Sequence, residues 1–311
     1  MPVMSWHTAR SSLFVPMLAP IYGHSEAEAM WWWWYEKRTG GNRLHGVSNR
    51  HRSIPSRLLQ QLRRDVEALV ALCPLAYVLD EAWFLGRSYA LRRSVLIPRP
   101  ETEELVNWVL EREPAGAVLR LLDVGCGSGA IGCSISLERP NWRVKGMDID
   151  PNALRVSRLN ARRLGAPVRI YYCDMRQNRW PSWDVLVCNP PYIGQGMDGT
   201  LSPGVAAYEP QRALFAPDGD ALFYYRLLAN RLRRSGKPEI GGKGGGSLTG
   251  NVPAVTPSGS YSVNRTQVMY LELPAGGSGD IQELFGEFCC EVRADAQGVE
   301  RMLRVEGFHE I

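Results

Sequence analysis

No Cys-x-x-Cys pair occurs among the seven cysteines, at positions 73, 126, 133, 173, 188, 289 and 290, so the spacing that builds most structural zinc sites is missing. Cys289 and Cys290 are adjacent and poorly placed to bridge each other, which points to free thiols and a reducing compartment. No apolar run approaches the ~20 residues that a membrane-spanning helix needs. The densest aromatic block, Trp31 to Trp34, is flanked by Glu26, Glu28, Glu36, Lys37 and Arg38. It reads as a helix whose tryptophans pack on several sides, with an interfacial membrane contact as the competing reading. The formal net charge is a mild +4 with no strong basic stripe, so stable nucleic-acid binding is not expected. Arg155, Arg158, Arg162 and Arg163 read as the solvated face of a helix.

What is there suffices for one core domain with an appendage: 311 residues, 45% of them apolar. Residues 1–52 have no clear assignment. The first 25 contain Arg10 and no acid, which suits either a targeting segment or a disordered start. Within 53–80, Leu58, Leu59, Leu62, Val66, Leu69 and Val70 recur at helical spacing, and this amphipathic helix should find partner helices in 25–40. From 81 to 311, strands and helices alternate as in a doubly wound α/β sheet. The Gly/Ser/Pro-rich stretch at 235–265 cannot bury enough surface to offset its ordering entropy and reads as an insertion without a catalytic part.

A ligand site is written into that alternation. Leu119 to Val124 reads as a buried strand; Gly125-Cys126-Gly127-Ser128-Gly129 follows it and opens an apolar helix from Ala130. The glycines permit positive φ and close approach of a ligand to the backbone, although a bare tight turn would use the same residues. The next strand, Trp142 to Met147, ends at Asp148, where a carboxylate can accept both hydroxyls of a ribose. The turn carries no Lys-Ser/Thr and is therefore not a phosphate-cradling loop. Asp123, just before it, would repel a pyrophosphate and tolerate a cationic amino-acid tail. A ligand with a ribose, an ammonium group and no phosphates is S-adenosylmethionine. A third strand, Arg169 to Cys173, ends at Asp174-Met175, and Asp174 can meet an adenine amino group or cap a turn.

The acceptor for the methyl group is suggested by Asn189-Pro190-Pro191-Tyr192, directly after the apolar run Asp184 to Cys188. The prolines stiffen the backbone and remove its N–H groups, leaving a pocket edge of carbonyl oxygens. The Asn189 oxygen and the Pro190 carbonyl can each accept one N–H of a planar amide or amine, and Tyr192 can stack on its face. An amide nitrogen is a poor nucleophile, so holding it in line with an electrophile is where catalysis has most to gain.

These motifs resemble the HemK/PrmC family of protein-(glutamine-N5) methyltransferases over about Pro74 to Phe308. The most specific piece is Val95-Leu96-Ile97-Pro98-Arg99-Pro100-Glu101-Thr102-Glu103-Glu104-Leu105-Val106, in which the prolines enforce an extended entry and the acids favour a first helical turn; the resemblance implies that this segment lies against the cofactor and helps close its pocket. Tyr208-Glu209-Pro210, Ala213 to Ala216 and Asp295 to Arg301 also match. Asp80 departs from the pattern, as does Leu273-Pro274 where a glycine-containing turn should follow the strand Val268 to Glu272. The resemblance implies a seven-stranded Rossmann-like class I methyltransferase sheet with a small N-terminal helical domain that grips the protein substrate. It implies S-adenosylmethionine as cofactor, held by Asp123, Gly125, Cys126, Gly127, Ser128, Gly129, Asp148, Asp174, Met175 and Asn189. It implies catalysis by Asn189, Pro190, Pro191 and Tyr192. The implied partner is a class I peptide chain release factor, methylated on its Gly-Gly-Gln loop, and the insertion hints at a mitochondrial location, otherwise cytoplasm. An exocyclic-amine methyltransferase acting on adenine or guanine presents the same geometry to Asn189, and a non-catalytic scaffold of the same fold is a further alternative.

Overall fold

The computed structural model describes residues 4–177, 179–196, 201–235 and 266–307. Apart from Ser235, which closes a helix, the expected insertion at 235–265 lies outside the described residues. The chain divides into two compact units, Met1–Pro98 with Gly196–Leu214 and Arg99–Gln195 with Phe215–Ile311.

In the first unit, helices cover Trp6–Ala9, Val15–Tyr22, His24–Thr39, Arg43–Ser48, Ser56–Val70 and Leu75–Val78, and a π-helical stretch, Arg10–Phe14, joins the first two. The segment 1–52, open to a leader or a disordered start on sequence grounds, is thus largely helical from residue 6. It supplies Trp6, Phe14 and Leu18 to the same buried core as Leu62, Val66 and Leu69. Aromatic area explains why so polar a stretch can pack: Trp31 and Trp34 stack with ring centroids 5.6 Å apart, and Trp6 meets Tyr35 edge-on at 5.0 Å. Trp33 is 60% exposed while its three neighbours are buried, because the helical turn carries one of four consecutive residues off the apolar face. Helix Ser56–Val70 packs mainly on Val15–Tyr22, outside the expected 25–40 stretch, and meets the tryptophan helix through side-chain bonds. Buried Asp65 accepts from Trp34 Nε1 and Gln61 Nε2, both at 2.7 Å, and pairs with Arg38 at 3.0 Å.

Strands β1 (Glu81–Phe84) and β2 (Arg87–Ala90) form an antiparallel hairpin through Leu85 and Gly86, both at positive φ, as a tight two-residue turn requires. The hairpin belongs to the helical unit, so the border falls after Pro98 and not after residue 80. Long-range bonds account for this. Tyr77 Oη donates to the Val95 carbonyl (2.7 Å), Leu91 N to the Asp80 carbonyl (2.9 Å), and Arg92 pairs with Asp80 (3.0 Å). Tyr208 and Glu209 return from far along the chain: Tyr208 Oη donates to the Ala71 carbonyl (2.9 Å) and Glu209 accepts from Ile97 N (3.2 Å).

The second unit is a seven-stranded sheet built from β3 (Arg120–Val124), β4 (Arg143–Asp148), β5 (Arg169–Tyr172), β6 (Val185–Cys188), β7 (Val268–Glu272), β8 (Cys289–Ala294) and β9 (Glu300–Glu306). Its order is β5-β4-β3-β6-β7-β9-β8. The first five strands run parallel, and β9 is antiparallel to both β7 and β8. This is the doubly wound class I methyltransferase sheet. Central strands β6 and β7 are buried throughout, whereas the edge strand β5 leaves Tyr172 exposed, as parallel sheets with covered faces demand. Helix Pro100–Arg112 begins where the prolines and acids predict, with Arg99 extended at its N-cap and Glu101 and Glu103 in the first turn. The closing hairpin forms at 295–299, where Asp295 Oδ1 accepts from Gln297 N and Val299 N, both at 2.9 Å. All seven cysteines are free, and five of them are buried.

Candidate active site

Strand register creates the site. Val124 of β3 is paired with Met147 on one side and Cys188 on the other, and Cys188 in turn with Leu271. The next residue on each strand therefore falls in one row at the carboxyl edge: Asp148, Gly125, Asn189 and Glu272. The strand order reverses between β4 and β6 around β3, the topological switch point at which open α/β sheets bind ligands.

The glycine turn is tied to the end of β4. Gly125 N and Cys126 N donate to the Met147 carbonyl (2.9 and 3.0 Å), and Gly127 N donates to Asp148 Oδ2 (2.9 Å). Gly125, Gly127 and Gly129 all have positive φ, but for different purposes. A Cβ on Gly129 would lie 2.6 Å from Ser157 Oγ, so this glycine lets the helix Pro151–Leu164 pack close. A Cβ on Gly125 would meet nothing within 4 Å, which leaves an open flank for a ligand against the backbone. Cys126 and Ser128 face the protein. Cys126 Sγ lies 3.7 Å from Ser157 Oγ, the Ser128 carbonyl accepts from Asn160 Nδ2 at 2.9 Å, and burial pushes the Cys126 thiol well up. Ser157 and Asn160 hold the turn and were missed from sequence, where they look like ordinary polar helix positions.

The three acids differ sharply. Asp123 is 1% exposed; its Oδ2 accepts from Gly132 N (2.9 Å), while its Oδ1 is buried without a hydrogen-bond partner among the described residues. Burial, with some help from Asp148, pushes its carboxyl up to about 7 against the Gly132 hydrogen bond. Asp148 accepts from Gly127 N and from Asp150 N (2.8 Å), one bond on each oxygen, so each oxygen keeps a lone pair for a hydroxyl donor. Burial raises its pKa, and the backbone hydrogen bonds oppose the rise. Asp174 is chelated by the Arg176 guanidinium at 2.6–3.0 Å and accepts from Arg176 N at 2.9 Å. That hydrogen bonding holds its carboxyl below the usual range and makes the turn cap. Met175 packs against the sheet core.

At Asn189 the structure singles out Thr102 from the 95–106 segment and adds Glu272, which sequence reasoning did not assign to the site. Asn189 Nδ2 donates to Thr102 Oγ1 (3.1 Å), and Thr102 Oγ1 donates to Glu272 Oε2 (2.6 Å). Glu272 is 3% exposed; burial first, then Glu101, pushes its carboxyl up to about 7 against the Thr102 bond, Arg301 and Arg99. Pro190 is buried and Tyr192 half-buried against the core, with burial pushing the Tyr192 hydroxyl up to about 12.

Over 235 residues the chain is 34% identical to the "Release factor glutamine methyltransferase" of Enterococcus faecalis, which spans 74% of this chain and 84% of the relative. The chain belongs to the release factor glutamine methyltransferase family. A Neisseria gonorrhoeae relative of the same name is 41% identical over 179 residues, 57% of this chain and 64% of its own. The Methyltransferase small domain family matches residues 103–203, which hold the glycine turn, Asp148 and Asn189. Among solved structures, the hMettl16 catalytic domain in complex with MAT2A 3'UTR hairpin 6 superposes with TM-score 0.53 at 13% identity, covering 79% of this chain and 83% of that one; that likeness speaks to the fold alone. This methyltransferase uses S-adenosylmethionine, and the end of the sheet fits it: an open glycine flank at Gly125 and a diol acceptor at Asp148 in the row, and an orphaned buried carboxylate oxygen on Asp123, two residues before Gly125. Among the described residues no cluster of metal-ligating side chains occurs, and no helix is long and apolar enough to cross a membrane.

Proposed function

We propose that this methyltransferase modifies the side-chain amide nitrogen of a glutamine in a protein, the Gly-Gly-Gln loop of a class I peptide chain release factor. The observation that carries the reading is the position of Asn189 one strand from the glycine turn in the row set by Val124 and Cys188. The cofactor supplies a methyl group already activated on a sulfonium. Asn189 Oδ1 and the Pro190 carbonyl accept the two N–H bonds of the glutamine amide and aim its nitrogen at that methyl. With the cofactor bound, the nitrogen lone pair would form the new C–N bond while the electron pair of the methyl–sulfur bond stays on sulfur, and the nitrogen would lose a proton to water. Positive charge grows on the nitrogen along the way, so both acceptors bind the transition state more tightly than the ground state. Tyr192 packs on the face of the amide. Asp148 holds the ribose, Asp123 faces the ammonium group, and the helical unit recognises the protein substrate.

Incubation with methyl-labelled cofactor and purified class I release factors, bacterial and mitochondrial in parallel, tests this when the modified residue is mapped by mass spectrometry. Label on the glutamine of the Gly-Gly-Gln loop is expected. Whichever factor reacts faster assigns the compartment, mitochondrial or cytoplasmic. Label on purified RNA or DNA with none on either factor would transfer the assignment to an exocyclic amine, and absence of cofactor binding would leave only a scaffold.

A further inference from the structure

We infer that Thr102 and Glu272 are positioning residues that fix which way round the Asn189 amide lies, an inference that rests on the function proposed above. The two ends of an Asn side chain have nearly the same shape and opposite hydrogen-bonding character. Turned one way, Asn189 offers an oxygen to the N–H of an incoming amide; turned the other, it offers an NH2 group, and donor meets donor. Nothing within Asn189-Pro190-Pro191-Tyr192 selects between the two.

The selection comes from two other elements. Thr102 stands in the first turn of helix Pro100–Arg112 and Glu272 at the end of β7. A hydroxyl has one hydrogen, and that of Thr102 is directed at Glu272 Oε2 at 2.6 Å. Towards Asn189 the hydroxyl therefore presents lone pairs, and these accept Asn189 Nδ2 at 3.1 Å. The remaining heteroatom of Asn189 is its oxygen, the acceptor that the reaction needs. Polarity thus passes from carboxylate to hydroxyl to carboxamide. Both controlling residues are shut off from water, Thr102 at 5% and Glu272 at 3% exposure, so no solvent molecule stands in for either. The strand end is anchored as well: Tyr225 Oη donates to the Glu272 carbonyl at 2.7 Å.

Thr102→Val keeps the shape and removes the hydroxyl; Thr102→Ser restores it. With the release factor as substrate, Thr102→Val should lower kcat by ~10- to 100-fold, with KM for the factor and the calorimetric Kd for the cofactor changed by less than about threefold. Thr102→Ser should recover most of that loss. The distinguishing measurement is the double variant Thr102→Val with Asn189→Ala, which should be no slower than Asn189→Ala alone, because Thr102 acts only through Asn189. Glu272→Leu and Glu272→Gln give a second route should the threonine variant not fold. Leucine should slow turnover as valine does, and glutamine, whose carbonyl still accepts from Thr102, should lose far less. A Thr102→Val enzyme at the wild-type rate would overturn the inference, as would independent, multiplicative losses in the double variant. A wild-type chain that leaves the release factor unmodified would instead refute the function itself.

Discussion

Asp65 in the helical unit and the pair Asp123 and Glu272 in the sheet unit are all buried acids, yet they are treated in opposite ways. Asp65 receives Trp34, Gln61 and Arg38, three donors from two helices. Asp123 has one backbone donor and an orphaned oxygen, and Glu272 has the Thr102 hydroxyl. Buried polar groups are normally satisfied, and under-satisfied ones concentrate where a ligand or a reaction supplies the missing partner. The helical unit uses its acid to hold itself together, whereas the sheet unit leaves Asp123 and Glu272 short near the carboxyl ends of its central strands, where cofactor and substrate are proposed to meet.

The comparison breaks first at Asn189. Asn189→Ala should slow methyl transfer ~100- to 1000-fold, since it removes an acceptor aimed at developing charge, while calorimetry shows the cofactor Kd nearly unchanged. A variant that turns over normally would strip the row of its chemical role. Asp65→Ala tests the other half. It removes the acceptor of the Trp34 N–H and leaves Arg38 with only the Val78 carbonyl, and should cost about 3 kcal/mol in denaturant unfolding of the helical unit, with cofactor affinity intact. Equal losses of stability and cofactor binding would erase the distinction between the two units.

A pH titration sharpens the contrast. The Glu272 carboxyl rises from an ordinary 4.5 to about 7 in the folded chain, so the folded state binds this proton more tightly than the unfolded state. Below about pH 4 both states are protonated and the group contributes nothing; between about 4.5 and 7 the unfolded chain ionises first and stability is lost; above 7 the penalty is complete. The difference between wild type and Glu272→Gln, read from unfolding midpoints across this window, should grow to about 3 kcal/mol in the variant's favour. A flat difference would mean that Glu272 is ionised in the folded chain throughout. The smallest effect is expected at Trp33, whose exposed ring should tolerate Trp33→Ser within about 0.5 kcal/mol; a loss as large as that of a buried tryptophan would show that this face is covered.

Much of the site could be read along the chain because its parts are local. A glycine turn after a strand, an acid ending the next strand and Asn189 before two prolines each fit within a few residues, and backbone sterics place them at strand ends. The start of helix Pro100–Arg112 was equally readable from its prolines and acids. The segment holding Thr102 was read as closing the pocket, but Thr102 itself was not singled out: Glu101, Glu103 and Glu104 drew attention to the helix terminus, while the residue that touches Asn189 is the uncharged one. Glu272 looked like the last residue of a buried strand, and only its bond to Thr102, 170 residues away, shows what it does. The border after Pro98 was missed for a related reason. Tyr77, Asp80, Tyr208 and Glu209 each bind a backbone group or side chain distant from their own segment, and no composition change marks that point.

Hydrophobic alternation, the conformational demands of glycine and proline, and the chemistry of single side chains are properties of short stretches, so the sequence alone determined the sheet, the glycine turn and the proline-backed corner at Asn189. Which acid is left short of partners, which hydroxyl faces which carboxamide, and which glycine serves packing and which leaves room for a ligand depend on strand order and register. Those arise only when segments far apart in the chain are brought within hydrogen-bonding distance, and the folded structure decided them.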